Sequence, residues 1–298
     1  MLEFRTISMD DRDWITQALR KTDSRGCEYS FANNMAWRRL SGSQIAQYGE
    51  FYICCAMETE DGVPSFCYPA GGEGDHRAVI EAMRHFSAFR HCPLDIWNVS
   101  PQRLAWLHEM YPDQFTVEEN RDSWDYLYRA EDLANLSGRK YHQKRNFLHR
   151  FESYGCWYAP LTENDFDDCI AFAAMRYNDK LEGDHSGIAE QFAIDTYFRH
   201  FYELGLQGGV YRSGEHLVAF TIGEPLNSDT FCVHIEKAMT VFQGSYAAIN
   251  QRFSQEILAQ GFTYINREED MGVPGLRKAK ESYHPCMMQE KYRVRFKY

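Results

Sequence analysis

The order of predicted elements constrains the fold of this chain most strongly, because two stretches of the sequence show the same order. In the first stretch, β-rich segments at 51–57 and 65–71 flank a turn and predict a hairpin. The loop GGEGD then leads into a segment, 75–92, whose apolar residues recur at helical spacing. The following segment, LDIWNV, predicts a strand. The predicted order is therefore hairpin, glycine loop, helix and strand.

The second stretch repeats this order. Segments 206–212 and 216–223 predict another hairpin, and 230–238 predicts a third strand. The loop MTVFQGSY leads into a helix that ends at Gly261, and FTYIN predicts the closing strand. Only the order of elements repeats, not the residues. We therefore expect an α+β fold with two similar units in tandem, over 1–135 and 136–298, each a mixed sheet flanked by helices.

Composition limits the classes of protein that fit. The chain has 298 residues, of which 44% are apolar, so it can bury a large core. The net charge of −11 argues against a generally cationic surface but leaves room for a local basic patch. Nine cysteines without a CxxC motif predict reduced thiols in a cytoplasmic protein. The longest clear apolar run, FYICCAM, is far shorter than the ~20 residues that cross a bilayer.

The glycine loop of the second stretch is a candidate anion site. Gly244 and Ser245 lie where a strand leads into a helix, and backbone N–H groups at a helix start attract phosphate or carboxylate. The sequence QGSYAA is an incomplete glycine-rich fingerprint, so an ordinary strand-to-helix turn is the alternative.

A basic helical segment, GRKYHQKRNFLHR, is a candidate nucleic-acid or anion surface. Its cationic side chains face no acid within the segment, and two of them share a helix face at a small energetic cost. A polyanion such as tRNA would offset that cost. The alternative is a solvated face paired with acids from elsewhere. The candidate residues are Arg139, Lys140, Lys144 and Arg145.

The C-terminal segment KYRVRFKY alternates basic and apolar residues, which predicts a strand with one charged face. We expect an edge strand whose charges discourage aggregation, with a functional basic surface as the alternative.

The segment NREEDMGVPGLRKAKESYHPC, 266–286, combines three consecutive acids, a proline-initiated helix and a basic cluster. It follows a predicted strand, and a rigid strand end suits a binding or catalytic site. Clustered acids and bases bind zwitterions or tune pKa values, but they also form structural ion-pair networks. Both interpretations stay open. The candidate residues are Asn266, Glu268, Asp270, Arg277, Lys280 and Tyr283.

The third strand of the second stretch carries His234 and Glu236, which period-two alternation places on one sheet face. No HExxH or Cys/His cluster has metal-binding spacing, so we expect no metal.

Together, YSFANNMAWR, the basic segment, HIEKA and the 266–286 segment resemble a bacterial family similar to the C-terminal catalytic domain of phosphatidylglycerol lysyltransferases. The most specific part is the pattern acid-Gly-x-x-Gly-Leu-Arg-Lys-x-Lys-x-x-Tyr, which begins at Asp270. The resemblance covers nearly the whole chain. It implies two GNAT-like (acyltransferase-fold) units and the transfer of an aminoacyl group from aminoacyl-tRNA to an amine or hydroxyl, with no other cofactor.

Under this resemblance, Glu236 or Asp270 holds an ammonium group, while Arg277 and Lys280 bind a carboxylate or phosphate. The basic segment steers tRNA. Two alternatives remain, namely an acyl-CoA-dependent N-acyltransferase and a non-catalytic protein that binds an amino acid or peptide. The acyl-CoA alternative is weakened by Tyr246, which stands where the familiar acyl-CoA loop has its central glycine.

Overall fold

A computed structural model describes residues 2–178 and 185–297. Within them it contains the strands β1 (Gln44–Tyr48), β2 (Phe51–Ala56), β3 (Ser65–Cys67), β4 (Asp95–Val99), β5 (Phe115–Glu119), β6 (Asp125–Arg129), β7 (Trp157–Pro160), β8 (Gln207–Ser213), β9 (His216–Pro225), β10 (Thr230–Ala238), β11 (Tyr264–Asn266), β12 (Met287–Gln289) and β13 (Tyr292–Phe296). Its α-helices are α1 (Arg12–Thr22), α2 (Phe31–Trp37), α3 (His76–Phe89), α4 (Pro101–Met110), α5 (Ala130–Asn135), α6 (His142–Glu152), α7 (Phe166–Asn178), α8 (His185–Arg199), α9 (Ser245–Ala259) and α10 (Pro274–Glu281).

The loop expected from the sequence LEGDHSG, 181–187, falls partly outside the described residues. His185 already begins α8.

The chain divides into two compact units, Met1–Asp125 with Gln289–Tyr298, and Tyr126–Met288. The first contains a six-stranded sheet in the order β1-β2-β3-β4-β13-β5. Over the residues that the structure describes, its strands pair antiparallel except β3 with β4, which α3 connects. The helix begins because Asp75 accepts a hydrogen bond from the Ala78 N–H, and it buries Val79, Ile80 and Met83 in the core.

The second unit contains a seven-stranded sheet in the order β12-β6-β11-β10-β9-β8-β7. It too contains a parallel pair, β10 with β11, and α9 connects these two strands, while β6 with β11, β9 with β10, β8 with β9 and β7 with β8 are antiparallel. Each unit is therefore a mixed sheet flanked by helices, as the repeated element order predicts. Hairpins β2–β3 and β8–β9 occupy the predicted places.

The unit boundary differs from the expected one at 135/136. Strand β6 lies within 1–135 but pairs with β11 of the second sheet, whereas β13 lies within 136–298 but pairs with β4 and β5 of the first sheet. The edge-strand prediction for the C-terminal segment is therefore wrong, because β13 has a neighbour on both sides. Its alternation is confirmed, since Val294 and Phe296 are buried while Arg293 and Arg295 both bind Asp95.

A buried charge cluster anchors the C-terminal segment within the first unit. Lys291 is 4% exposed, and its Nζ lies 2.7 Å from an Asp125 carboxylate oxygen. It also bonds to Glu28, and the Cys27 N–H donates to Asp125 at 2.8 Å. An ammonium group buried among these partners leaves uncompensated charge if it is removed.

Two other sequence expectations concern cysteines and membranes. All nine cysteines are free of disulfides, and four are buried, Cys27, Cys55, Cys169 and Cys232. Over 2–178 and 185–297, no helix combines the length and the apolar character that spanning a bilayer requires.

We expect Lys291→Met to destabilise the first unit strongly, by about 3–5 kcal/mol, because it removes the ammonium group that binds the buried Asp125 carboxylate and the half-buried Glu28 carboxylate. Urea unfolding followed by tryptophan fluorescence measures this. The matched control is Lys297→Met, since Lys297 is exposed and its side chain donates to the Asp113 backbone carbonyl. Equal midpoints for the two variants would show that the cluster contributes little.

Candidate functional site

The candidate site lies where β10 and β11 stop pairing. The two strands pair only from Thr230↔Tyr264 to Cys232↔Asn266. Strand β10 then continues to Ala238 with β9 as its partner on the other side. Beyond the last parallel pair, side chains rather than backbone hydrogen bonds connect β10 to the chain that follows β11. We call this gap between residues 233–238 and residues 267–270 the wedge.

An ion pair bridges the wedge. Arg267, directly after β11, donates from Nη2 to Glu236 Oε1 on β10 at 2.8 Å. Asn250 of α9 donates to the other Glu236 oxygen at 3.2 Å. The Glu236 and Arg267 side chains are only 10% and 13% exposed. We call these three residues the wedge group.

Two atoms of the wedge group lack a partner. Arg267 Nη1 and Asn250 Oδ1 are buried and make no hydrogen bond in the described structure. A buried polar atom without a partner costs about 1–3 kcal/mol, so each such atom needs a physical explanation, and a bound ligand is one. One is a charged donor and the other an acceptor, so together they suit a ligand that carries both an anionic or carbonyl oxygen and an N–H or O–H.

Lys144 of α6 lies beside the wedge group. Its Nζ is 3.5 Å from the centre of the Tyr283 ring and donates to Ser282 Oγ at 2.6 Å. The Arg267 guanidinium lies 5.0 Å from the same ring. Burial lowers the pKa of Lys144 to about 8, and the Arg267 charge adds to this while Glu236 opposes it. An amine with this pKa exchanges protons near neutral pH, as a general base requires.

The acids of the 266–286 segment bind its own bases. Asp270 is fully buried and receives two hydrogen bonds from Arg277 at 2.8 Å, one from Tyr126 and one from the Gly272 N–H. Burial raises the pKa of Asp270, but these hydrogen bonds outweigh it and hold the pKa well below its ordinary range. Asp270 and Arg277 therefore bind each other, which assigns them the structural alternative of an ion-pair network.

Lys280 binds the backbone of the loop that follows β11. It is 8% exposed and donates to the carbonyls of Arg267, Glu268 and Glu269. Asn266 is fully buried, and its Oδ1 accepts a hydrogen bond from the Glu268 N–H at 2.6 Å. These contacts fix the backbone that presents Arg267 to the wedge. Lys280 and Asn266 position the site through the backbone.

His234 and Glu236 do not share a sheet face, so that prediction is wrong. A β-bulge at His234 shifts the register, since Val233 pairs with Gly223 and Ile235 with Ile222. Glu236 consequently faces Asn250 of α9, whereas His234 stacks on Tyr197 of α8 at 5.2 Å. A single extra residue reverses the side-chain alternation of a strand.

On its own face, His234 is enclosed by acids. Its Nδ1 lies 2.8 Å from Glu268 Oε1, and its Nε2 lies 3.1 Å from Glu224 Oε1. Burial lowers the pKa of His234, but Tyr197, Cys232 and Glu224 outweigh it and raise the pKa well above the ordinary value. The Cys232 sulfur is 3.7 Å from Nδ1.

The basic segment does not form a single cationic face. Lys140 binds Asp132 at 3.2 Å, and Arg145 donates to the carbonyls of Leu136 and Gly138. Arg139 lies in the turn before α6 and is exposed. Of the predicted cations, Lys144 alone reaches the wedge group.

The glycine loop makes close backbone contacts. Gly244 has φ +96° and lies so close to α6 that a Cβ would come within 2.1 Å of the Phe147 carbonyl oxygen. Ser245 donates from its N–H to the Phe242 carbonyl and from its hydroxyl to the Met239 carbonyl. Glycine is therefore required here by helix packing.

Comparison with known proteins identifies the family. The model of the family described as phosphatidylglycerol lysyltransferase, C-terminal, matches residues 19–295. The chain belongs to this family. No curated protein matches the sequence significantly.

Solved structures share the fold of this chain. A conserved protein of unknown function from Bacteroides thetaiotaomicron is 36% identical over 100% of both chains, with a TM-score of 0.93. L-PGS from Bacillus licheniformis has a TM-score of 0.68 at 15% identity, over 96% of this chain and 92% of that one. FemX has a TM-score of 0.66 at 9% identity, over 98% and 96%. The last two show the fold alone, and the expected architecture of two GNAT-like units in tandem is confirmed.

Three members of these clusters were not among the sequence candidates, namely Asn250, Cys232 and Glu224. Asn250 had a detectable signal, because it is a polar residue beside Ile249 on the apolar stripe of α9, where only 3% of it is exposed. Arg267 lies in the candidate segment 266–286. Its ion pair with Glu236, however, depends on where β10 and β11 stop pairing, which cannot be read from the sequence.

We expect Lys144 to titrate with a pKa of about 8. Competitive acetylation at varied pH, with peptide mass spectrometry, measures its amine reactivity. Glu236→Gln should lower the inflection further, because it removes the carboxylate that favours the ammonium. Arg267→Met should raise it, because it removes a like charge. Shifts in the same direction for both variants would contradict this arrangement.

Proposed function

We propose that this protein transfers an aminoacyl group from aminoacyl-tRNA to an amine or hydroxyl acceptor, at the wedge of its second unit. The observation that carries the proposal is the wedge group. Arg267 and Asn250 each have a buried polar atom without a hydrogen-bond partner, and Lys144, whose pKa is lowered, lies beside them. Family membership supports the same reaction class, because the family description names a lysyltransferase.

The chemistry needs positioning more than activation, since an aminoacyl ester is already reactive. Arg267 Nη1 donates to the carbonyl oxygen, whose negative charge grows as the acceptor attacks. The acceptor nitrogen or oxygen forms a bond to the carbonyl carbon and gives its proton to neutral Lys144. The bond to the tRNA 3′-oxygen then breaks, and that oxygen takes the proton from the Lys144 ammonium group, which returns the amine to its neutral form. Glu236 holds Arg267 in place and keeps part of the Lys144 population charged.

This assignment revises which candidate residues act on the substrate. Glu236 keeps a place in the site as the partner of Arg267. Asp270, Arg277, Lys280 and Asn266 hold the loop, and Tyr283 supplies the ring between the two cations. Arg139 and Lys140, both exposed, are the candidates for contacts with the tRNA backbone.

An aminoacyl-tRNA donor is favoured over acyl-CoA by the packing of the glycine loop. An acyl-CoA pyrophosphate would need backbone N–H groups and space at the start of α9. There, Gly244 packs against Phe147, the Ser245 N–H is bonded, and Tyr246 stands in place of a glycine.

The test is a transfer assay with tRNA charged with labelled amino acids, in parallel with labelled acetyl-CoA. Acceptors are phosphatidylglycerol vesicles, an amine-bearing peptide and a hydroxyl-bearing peptide. We expect transfer from aminoacyl-tRNA, with kcat reduced about 10²–10⁴-fold in Lys144→Met. Arg267→Met should lose about 10²–10³-fold.

Lys21→Met is the matched control, because Lys21 is an exposed lysine of the first unit that pairs with Glu50. It should retain wild-type rates. Full activity of the Lys144 and Arg267 variants would exclude the wedge as the reaction site. Transfer from acetyl-CoA alone would favour the acyl-CoA alternative. Tight binding of an amino acid with no transfer from any donor would favour a binding protein.

A further inference from the structure

A cluster of metal-type donors lies on the opposite face of β10 from the wedge group. Cys232 Sγ, His234 Nδ1 and a Glu268 carboxylate oxygen all lie within 4.8 Å of one another. The three separations are 3.7 Å for sulfur to nitrogen, 4.0 Å for sulfur to oxygen and 2.8 Å for nitrogen to oxygen. No motif spacing predicts this set, because Glu268 comes from a distant loop.

These separations suit a tetrahedral zinc ion. Zn–S bonds of about 2.3 Å and Zn–N and Zn–O bonds of about 2.0–2.2 Å place neighbouring ligand atoms roughly 3.4–3.6 Å apart. The three observed separations lie on both sides of that range. A shift of the Glu268 carboxylate by less than about 1 Å brings its distances to the sulfur and the nitrogen close to the values that zinc requires. Thiolate, imidazole and carboxylate together form a donor set that zinc and cobalt accept.

The second nitrogen of His234 has the partner that a metal-bound histidine usually has. Glu224 Oε1 lies 3.1 Å from Nε2 and accepts that N–H, so Nδ1 becomes the metal ligand once a metal ion displaces its proton. Tyr197 stacks on the ring at an interplanar angle of 13°, which fixes the ring plane. The His234 side chain is fully buried.

Two local backbone features bring the donors together. Period-two alternation places Cys232 and His234 on one face, and the bulge at His234 turns Glu236 to the other face. Glu268 adopts φ +58°, a left-handed conformation that is uncommon for glutamate, and the Asn266 side chain accepts its N–H.

The first unit contains a second cluster of metal-type donors. Cys27, Glu28 and Asp125 also lie within 4.8 Å of one another. Lys291 Nζ bonds to both carboxylates of this cluster and lies 3.7 Å from the Cys27 sulfur. Because this second cluster surrounds an ammonium group, we expect it to bind no metal ion.

We propose that Cys232, His234 and Glu268 bind one divalent transition-metal ion of the zinc class, with Glu224 orienting His234. Three protein ligands leave a fourth position for water or a substrate atom. The ion ties β10 to the loop that carries Arg267, so it stiffens the wedge from the opposite face. This inference does not depend on the aminoacyl-transfer proposal.

The test uses Co²⁺ as a spectroscopic probe on the full chain after treatment with a chelator. We expect one equivalent of Co²⁺ to give a thiolate-to-cobalt charge-transfer band in the near ultraviolet, which one equivalent of Zn²⁺ abolishes. Cys232→Ser should lose the band, and Glu268→Gln should weaken binding. Glu224→Gln should weaken it about 10–100-fold, as expected for a carboxylate that orients a metal-bound histidine.

Cys27→Ser is the matched control and should keep the full band. The wild-type melting temperature should rise with Zn²⁺, and the Cys232→Ser value should not, which separates a lost ligand from a lost fold. Absence of a thiolate band in wild-type protein would overturn the proposal. A band that survives in Cys232→Ser or disappears in Cys27→Ser would overturn it as well.

Discussion

The parting of β10 from β11 is the constraint on which the second unit depends. Parallel pairing ends at Cys232 and Asn266, so the strands stop sharing backbone hydrogen bonds and the Arg267–Glu236 ion pair spans the gap instead. Burying two charges is costly, and their attraction offsets that cost only with good geometry and further hydrogen bonds. The Asn250 bond supplies one of these, yet Arg267 Nη1 and Asn250 Oδ1 stay unpartnered. The missing hydrogen bonds of these two atoms cost free energy, and proteins tolerate such local costs at sites that bind ligands.

The bulge at His234 divides the chemistry of β10 between two faces. Without the extra residue, His234 and Glu236 would project to the same side and their charges would interact directly. With it, the acid and the two cations Arg267 and Lys144 gather beside α9, while His234 lies with Cys232 and Glu268 on the other face. The loop after β11 serves both faces, because Arg267 and Glu268 are consecutive and point to different clusters. The stability of that loop, held by Lys280 and the Asp270–Arg277 pair, thus affects both.

Much of the fold follows from local sequence signals. Turn residues and alternation predict the hairpins, and Pro101 and Pro274 each begin a helix at its first turn. The exchanged strands could not be predicted, since β6 and β13 each carry an ordinary strand pattern, and their sheet depends on contacts distant in sequence. Charge clustering in 266–286 correctly indicated a dense polar network, but it could not indicate that Asp270 and Arg277 satisfy each other. The bulge at His234 could not be predicted either, because period-two alternation of side chains assumes a regular strand.

The central claim is that the wedge group receives the carbonyl end of an acyl donor, and a crystal structure with a stable aminoacyl-adenosine amide tests it most directly. The account predicts the ligand's carbonyl oxygen within hydrogen-bond distance of Arg267 Nη1 and a ligand N–H or O–H within reach of Asn250 Oδ1. It also predicts Lys144 Nζ beside the reactive carbon. A ligand bound elsewhere in the chain, with both of these atoms still unpartnered, would contradict the account.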